Sequence, residues 1–471
     1  MSDISRTVGS ITSMPVAKET VSPGYNRLLV ALLCLAGLFN FTDRNLFPVL
    51  AQSIKQDLRL SDLELGLLGG PSFAFVYALA GLPVARLADR KNRVRIIAFT
   101  TMIWSVFCTA CGLAQNFGQM LLARAGVGIG EAGFFPATTS LVGDQFPAER
   151  RASILSIIQL GSPASTIFCA ILAATIGTAW GWRAALIAAG LPGILIGLAT
   201  LILLREPKRG AFDGEAATKV DLPWRTAIAQ LLRQPTFLRI TIAAALVTFS
   251  VNAIAVFYVS YFVRIHGWTL AQGGYAFGVI QCIAATVGLL AGGFGADWLA
   301  RRDARWRCWL PAIGLVIATA AYIAAFQQSE ALVAAGLILA GGMCLFTFYT
   351  PSIAIVQDLA DPRSRATAVA IFLLAGTVLG VGIGPVAAGF ASDLFAQRHF
   401  DHGSFLTLCP GGQALPGATA ALSNACMRAS AIGLTSALTI SPLPLLLSSA
   451  MYVYASYSLR KDTPDRLIRS Q

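Results

Sequence analysis

Four ionisable residues set the problem. Asp43 and Arg44 lie in Leu38-Phe-Asn-Phe-Thr-Asp-Arg-Asn-Leu-Phe-Pro48, and Arg124 and Glu131 lie in Arg124-Ala-Gly-Val-Gly-Ile-Gly-Glu131-Ala132. Both stretches fall inside apolar runs long enough to cross a bilayer. An unpaired charge at mid-membrane costs about 3 kcal/mol on insertion scales, so such residues face a protein-lined or water-lined interior and carry function. If the first run is a helix with its midpoint near Phe39, Asp43 and Arg44 sit about 6 to 7.5 Å beyond it. Arg124 then lies about 10 Å and two turns from Glu131, on nearly the same face. The depths overlap, and neighbours at 43 and 44 point about 100° apart, so each is expected to pair across to the other helix. Two acids and two bases sum to zero. Protonating one acid frees a guanidinium, whose planar fork of donors suits a phosphate or carboxylate head group. Arg44 and Arg124 are therefore candidate head-group ligands, and Glu131 and Asp43 candidate proton carriers. For Glu131, burial favours the neutral acid and a nearby guanidinium favours the carboxylate, so a change of partner exchanges a proton. Buried ion pairs also serve only to fix helix register, and Arg124 is the clearest case for such a clamp.

The elements that must hold these residues follow from composition. Of 471 residues, 56% are hydrophobic and 12% charged, with a mean hydropathy of +0.67, whereas a soluble domain carries about 25% charged residues. This is an all-α membrane protein. Apolar runs fall near 28–50, 63–86, 95–114, 119–143, 152–176, 182–204, 236–262, 270–297, 307–327, 330–356, 366–392 and 430–457, which predicts twelve transmembrane helices. The charged gap 205–235 divides them into six-helix bundles at 28–204 and 236–457, and its part from Asp221 to Arg233 has the spacing of an amphipathic surface helix. Residues 1–27 read as a disordered tail without a signal peptide, and 458–471 as a second tail.

The net charge of +12 does not point to nucleic acid, because the basic residues form short blocks between apolar runs. On one side fall only Lys55, Arg59, Arg183, Arg264, Arg398 and Arg428, while Arg44 and Arg124 are intramembrane. The remaining basic residues gather on the other side with both termini, which the positive-inside rule makes cytoplasmic. The loop 393–429 then faces outward, where Cys409 and Cys426 either form a disulfide or stay as two thiols.

The halves repeat. Asp89 with Arg93 recurs as Asp297 with Arg301, and Pro147 with Arg151 as Pro362 with Arg365, about 210 residues on. The stretch Ala85-Arg-Leu-Ala-Asp89-Arg90-Lys91-Asn92-Arg93 resembles the loop motif of the major facilitator superfamily, with Gly293-Phe-Gly-Ala-Asp297 similar to its second copy, although Ala85 and Asn92 replace the motif's glycines. Within that superfamily, Phe-Thr-Asp43-Arg44 and Arg124-Ala-Gly-Val-Gly-Ile-Gly-Glu131-Ala resemble the spinster-like lipid transporters, whose animal members move sphingosine-1-phosphate and lysophospholipids. The superfamily's antiporter motif expects Gly-Pro in the fifth helix, where this chain has Gly161-Ser162-Pro163, so antiport finds no support. Asp89, Arg90, Arg93, Asp297 and Arg301 are read as cytoplasmic gate elements.

Other signals are weaker. Gly128-Ile-Gly130-Glu-Ala-Gly133 matches a dinucleotide fingerprint, but no strand precedes it, and glycines so spaced permit close helix packing. Cys108 and Cys111 have redox spacing inside an apolar run, and Asn40-Phe-Thr42 is a glycosylation sequon out of an enzyme's reach. The second half carries no deep charge; its cavity candidates are Asn252, Tyr258, Gln281, Phe346 and Phe348. The only histidines are His266, His399 and His402, none inside a spanning run, and no metalloprotease or nucleophile-elbow pattern occurs, so no catalytic, metal or cofactor site is expected. The reading is a twelve-helix, monomeric, plasma-membrane transporter that moves an amphiphilic, anionic, lipid-like substrate by alternating access, coupled to protons. Its rivals are an uncoupled facilitator or exporter of drug-like amphiphiles, a lipid-binding sensor, and a lipid-modifying membrane enzyme.

Overall fold

A computed structural model describes residues 23–207, 229–360 and 365–462. Its described residues form twelve helical passes. The first six crossings are α1 (Pro23–Leu58), α2 (Asp62–Gly69 and Pro71–Arg90), α3 (Arg93–Leu113), α4 (Phe117–Glu131 and Phe134–Gln145), α5 (Ala148–Gln159, Gly161–Leu172 and a π turn Ala173–Gly177) and α6 (Thr178–Leu203). The last six are α7 (Pro235–His266), α8 (Leu270–Ala300), α9 (Trp306–Phe326), α10 (Ala331–Leu345 and Tyr349–Leu359), α11 (Arg365–Ala375, a π turn Gly376–Val381 and Gly382–Arg398) and α12 (Ala420–Ile440 and Pro444–Asp462). The apolar helical stretch Ser153–Leu203 runs 51 residues, or roughly 77 Å of helix against about 30 Å of hydrocarbon. It must fold back, and it does so at Gly181, whose φ of 82° breaks the helix.

Local signals mark several starts. Ser61 and Glu64 form a capping box before α2, Thr269 and Gln272 form another before α8, and Asn92 and Asn116 cap α3 and α4 with their side chains. Helix ends differ from the hydropathy reading. α1 spans 36 residues instead of 28–50, because Pro23 opens it at a favoured position and its polar last turns stay helical outside the hydrocarbon. The loop between α11 and α12 is shorter than the expected 393–429, since α11 runs to Arg398 and α12 starts at Ala420. Of the amphipathic stretch Asp221 to Arg233, all but 229–233 lies outside the described residues, as do the tails 1–22 and 463–471 and residue Pro362.

With an even number of crossings, both described ends of the chain lie on one side, here called the terminal face; the other is the distal face. The glycine-rich face of α4 packs closely, as its spacing implies: a Cβ on Gly128 would come within 2.8 Å of the Phe73 carbonyl on α2. Between the halves, close approach gathers on the distal side. Gly66 of α2 meets the Pro385 backbone of α11, and Gly389 of α11 meets the Asp62 backbone in return, where any side chain would collide. Hydrogen bonds between the halves gather there too, including Thr166 Oγ1 to the Gly278 carbonyl at 3.4 Å.

The repeat is visible in ion pairs. Arg93 at the start of α3 pairs with Asp144 at the end of α4, 51 residues on, and Arg307 at the start of α9 pairs with Asp358 near the end of α10, also 51 residues on, at 2.8 Å. This corrects the alignment of Arg93 with Arg301. The α8–α9 connection is longer than that between α2 and α3, so Arg301 is left exposed at the end of α8, and Arg307 takes the place of Arg93.

Candidate functional site

α1 and α4 join two of the four intramembrane charges, Arg44 and Glu131, in an ion pair and leave Asp43 and Arg124 without one. Arg44 Nε donates to Glu131 Oε2 at 2.5 Å, with the acid fully buried and the arginine side chain 29% exposed. The guanidinium lies 4.9 Å from the ring centres of both Phe73 and Tyr77 on α2, close enough for cation–π attraction. The pair is half used: Arg44 Nη2 and Glu131 Oε1 are buried without a hydrogen-bond partner. Asn40, one turn before Arg44, is buried with both amide atoms unpaired. Such orphans are rare in protein interiors and mark a place where something else binds or something moves.

Arg124 does not ion-pair with Asp43, contrary to the expectation of two cross-helix pairs. Its Nε donates to the Leu68 carbonyl at 3.2 Å, its Nη1 reaches the Asp43 carbonyl at 3.5 Å, and its plane lies 4.8 Å from the Phe47 ring centre. The cause is the break in α2 at Gly69-Gly70-Pro71, where Gly70 leaves helical geometry and the Leu68 carbonyl turns to side-chain donors, Ser72 Oγ among them at 2.8 Å. Asp43 is buried at 3% exposure with Oδ1 unpaired, beside the buried thiol of Cys108.

The second half places Tyr258, Gln281 and Phe346 of the candidate cavity residues around one apolar pocket, together with Phe277, Tyr322 and Ile338. The Tyr258 hydroxyl is buried and unpaired. Asn252 and Phe348 are not in that lining: the Asn252 amide donates to the Thr248 carbonyl at 2.8 Å, and Phe348 is buried in the core.

A distal cluster was missed by sequence reasoning. Asp62, at the start of α2, accepts from Lys55 Nζ of α1 at 2.7 Å, from Arg264 of α7 through both oxygens at 2.7 and 2.9 Å, and from Ser392 Oγ of α11 at 2.7 Å. Arg264 Nε also donates to Gln52 at 2.5 Å. Asp393 of α11 accepts the backbone N–H groups of Asp62 and Leu63 at 3.0 and 2.8 Å, so an acid of one half caps a helix of the other. Above it a short strap, with helical turns Phe405–Leu408 and Pro410–Gly412, is joined by the Cys409–Cys426 disulfide to α12. Gly411 rests on the backbone of Lys55 and Arg59, and a cavity of about 290 Å³ lies between strap and cluster. The only advance signal was Ser61-x-x-Glu64 beside Asp62, which fixes where α2 begins but not what meets it.

On the terminal face, Arg93 is buried and bridges Asp144 and Glu206, the latter at 2.7 Å, while Arg90 is exposed. Arg307 also lies 3.9 Å from Asp297. The side chain of Asp89 lies outside what the structure describes.

With this geometry in hand, the comparisons with known proteins are specific. The model of the Major Facilitator Superfamily matches residues 33–385. An MFS-type efflux pump of Mycolicibacterium smegmatis is 34% identical over 77% of this chain and 84% of its own length. The sphingosine-1-phosphate transporter SPNS2 of Mus musculus is 26% identical over 81% of this chain and 74% of its own. Among solved structures, a bacterial homolog to the human lysosomal transporter spinster, inward-facing and unoccupied, superposes with a TM-score of 0.87 at 30% identity, covering 94% of this chain and 99% of that one. Its occupied inward-facing form gives 0.85.

Proposed function

The chain belongs to the Major Facilitator Superfamily, as a spinster-like transporter, and from that premise we propose that it moves an amphiphilic, anionic, lipid-like molecule by proton-coupled alternating access. One observation carries the reading: the half-used Arg44–Glu131 pair, with a guanidinium donor and a carboxylate oxygen both buried and unpaired. A planar donor fork with a free edge suits a phosphate or carboxylate. Across from it, the second half offers the pocket of Tyr258, Phe277, Tyr322 and Phe346, whose surface suits an alkyl tail. We place the head group first on Arg44; Arg124, the second candidate, directs its Nε and Nη1 at carbonyls of α2 and α1 and so also holds these helices on α4.

With the terminal face on the cytoplasmic side, as the distribution of basic residues favours, the clustered distal contacts would close the outside and leave the site to open inward. In this state Glu131 is ionised against Arg44. When substrate takes the guanidinium, Glu131 accepts a proton in its place, so one proton and one substrate anion travel together in the same direction. Asp43, buried without an ion partner, is the second candidate carrier. The cycle needs no partner chain, so the working unit is a monomer in the plasma membrane.

The experiment is uptake of sphingosine 1-phosphate, lysophosphatidic acid and lysophosphatidylcholine into proteoliposomes, with and without an acid gradient. Gradient-driven accumulation of the anionic lipids is expected, with weaker uptake of the zwitterion; equal uptake of all three without any gradient response overturns the proposal. A second reading, export of drug-like amphiphiles, is favoured by the efflux-pump relative. Ethidium accumulation in the same vesicles, in place of lipid uptake, selects it.

A further inference from the structure

Asn40 lies on the same face of α1 as Arg44, one turn nearer the terminal face. It has no exposed surface, and its side chain lies beside Glu131. Yet neither Nδ2 nor Oδ1 makes a hydrogen bond, and Glu131 Oε1 is equally without a partner. Two complementary groups thus lie within reach of one another, close enough to interact and short of a fully formed hydrogen bond.

The chemistry of the neighbours says which bond. The charged and titratable groups facing Glu131 are Asp43 and Arg44 from α1 and Arg124 from its own helix, with Tyr77 of α2 stacked on Arg44. Arginines donate only, and an ionised aspartate accepts only. The nearby Thr42 hydroxyl is committed to the Leu38 carbonyl at 2.8 Å. An amide alone carries two donors and an acceptor on one group, so a flip of its plane lets it meet a carboxylate or a carboxylic acid.

We infer that Asn40 is a positioning residue for Glu131, taking over the acid when Arg44 turns to a substrate anion. In the ionised state Nδ2 donates to the freed carboxylate. When a hydrated proton arrives, an O–H bond forms on Glu131, water is left behind, and Oδ1 of the flipped amide accepts that O–H. The acid is then never buried without a partner while the arginine is away, and its oxygens stay aimed at α1. This rests on Glu131 being the proton carrier proposed above, and it adds the residue that makes the exchange of partners reversible.

The test is made with lysophosphatidic acid bound, the state in which Arg44 leaves Glu131. Acid-minus-neutral infrared difference spectra of the reconstituted full chain report the carbonyl stretch of a newly protonated carboxylic acid, assigned to Glu131 by its loss in Glu131→Gln. In Asn40→Leu, which keeps the volume and removes donor and acceptor, that band is expected to shift to higher wavenumber, with its pH midpoint displaced from wild type. Asn40→Ala serves the same purpose if the leucine variant does not fold. A Glu131 band unchanged in position and midpoint in the folded variant overturns the role of Asn40 alone. Absence of any Glu131 band in wild type overturns the proton reading itself, and the hand-over with it.

Discussion

The protein buries two charge clusters, and they are built to opposite rules. At the distal cluster every oxygen of Asp62 is spoken for, by Lys55, Arg264 and Ser392 from three helices, and Asp393 completes the start of α2. At the central cluster Arg44 and Glu131 share one hydrogen bond, and Asn40, Asp43, Arg44 and Glu131 all keep buried atoms unpaired. Full satisfaction makes a latch, because each broken bond must be replaced before the halves can part. Partial satisfaction makes a site, because the unmet donors and acceptors already carry the cost of desolvation and gain from any ligand or proton that meets them.

The contrast breaks most readily at Asp62. Asp62→Asn leaves Lys55 and Arg264 as buried cations without their acid, a loss of about 3 to 5 kcal/mol for a broken buried pair. The expected outcome is a lower melting temperature in detergent together with outside access for a membrane-impermeant thiol reagent at a cysteine placed on Ser392; unchanged melting and access would show that the cluster is not the latch. Removing the strap's tie comes next. Cys409→Ser with Cys426→Ser opens a loop with a sequence separation of 17 residues, worth roughly 3 kcal/mol in the chain-entropy account, so the double variant should melt earlier, and reductant should lower wild type to the same value.

At the central cluster the effect falls on ligand and not on fold. Arg44→Lys keeps the charge and loses the fork, so binding of an anionic lysolipid is expected to weaken about 30-fold, or about 2 kcal/mol, with little change in melting. Equal affinity, measured by titration calorimetry, would take the head group away from Arg44. The smallest effect is expected at Tyr258→Phe. Deleting a buried hydroxyl that has no partner should leave stability unchanged or raise it by about 1 kcal/mol. Lysolipid uptake should fall only a few-fold; a loss as large as that of Arg44→Lys would move recognition into the second half.

What the sequence disclosed follows the same divide. Asp43, Arg44, Arg124 and Glu131 stood out because charge inside a membrane-length apolar run is costly wherever it occurs, so their type and place were informative without any structure. Lys55, Asp62, Arg264 and Asp393 sit at the ends of apolar runs, where charge is ordinary. Their meeting depends on contacts 202 to 331 residues apart, which no local pattern encodes. The twelve crossings were legible from hydropathy, and the two-fold repeat from its motifs. The equivalence of Arg307 with Arg93 was hidden by a longer α8–α9 connection and became visible only through the matching pairs to Asp144 and Asp358. The idle state of Asp43 was hidden for a different reason, because Arg124 is drawn away by a backbone carbonyl, and a carbonyl freed by a helix break has no side-chain signature.

The cap that Asp393 places on α2 has one more consequence. A helix start is normally completed by its own chain a few residues upstream, and so persists for as long as the helix does. Here two backbone amides, those of Asp62 and Leu63, depend on an acceptor that travels with the opposite half. Each time the distal face parts, these amides meet water, and each time it closes they are shielded. Their hydrogen exchange with solvent therefore follows the parting of the distal face without a probe attached. Exchange at these positions, set against the protected middle of the same helix, would report how readily that face opens.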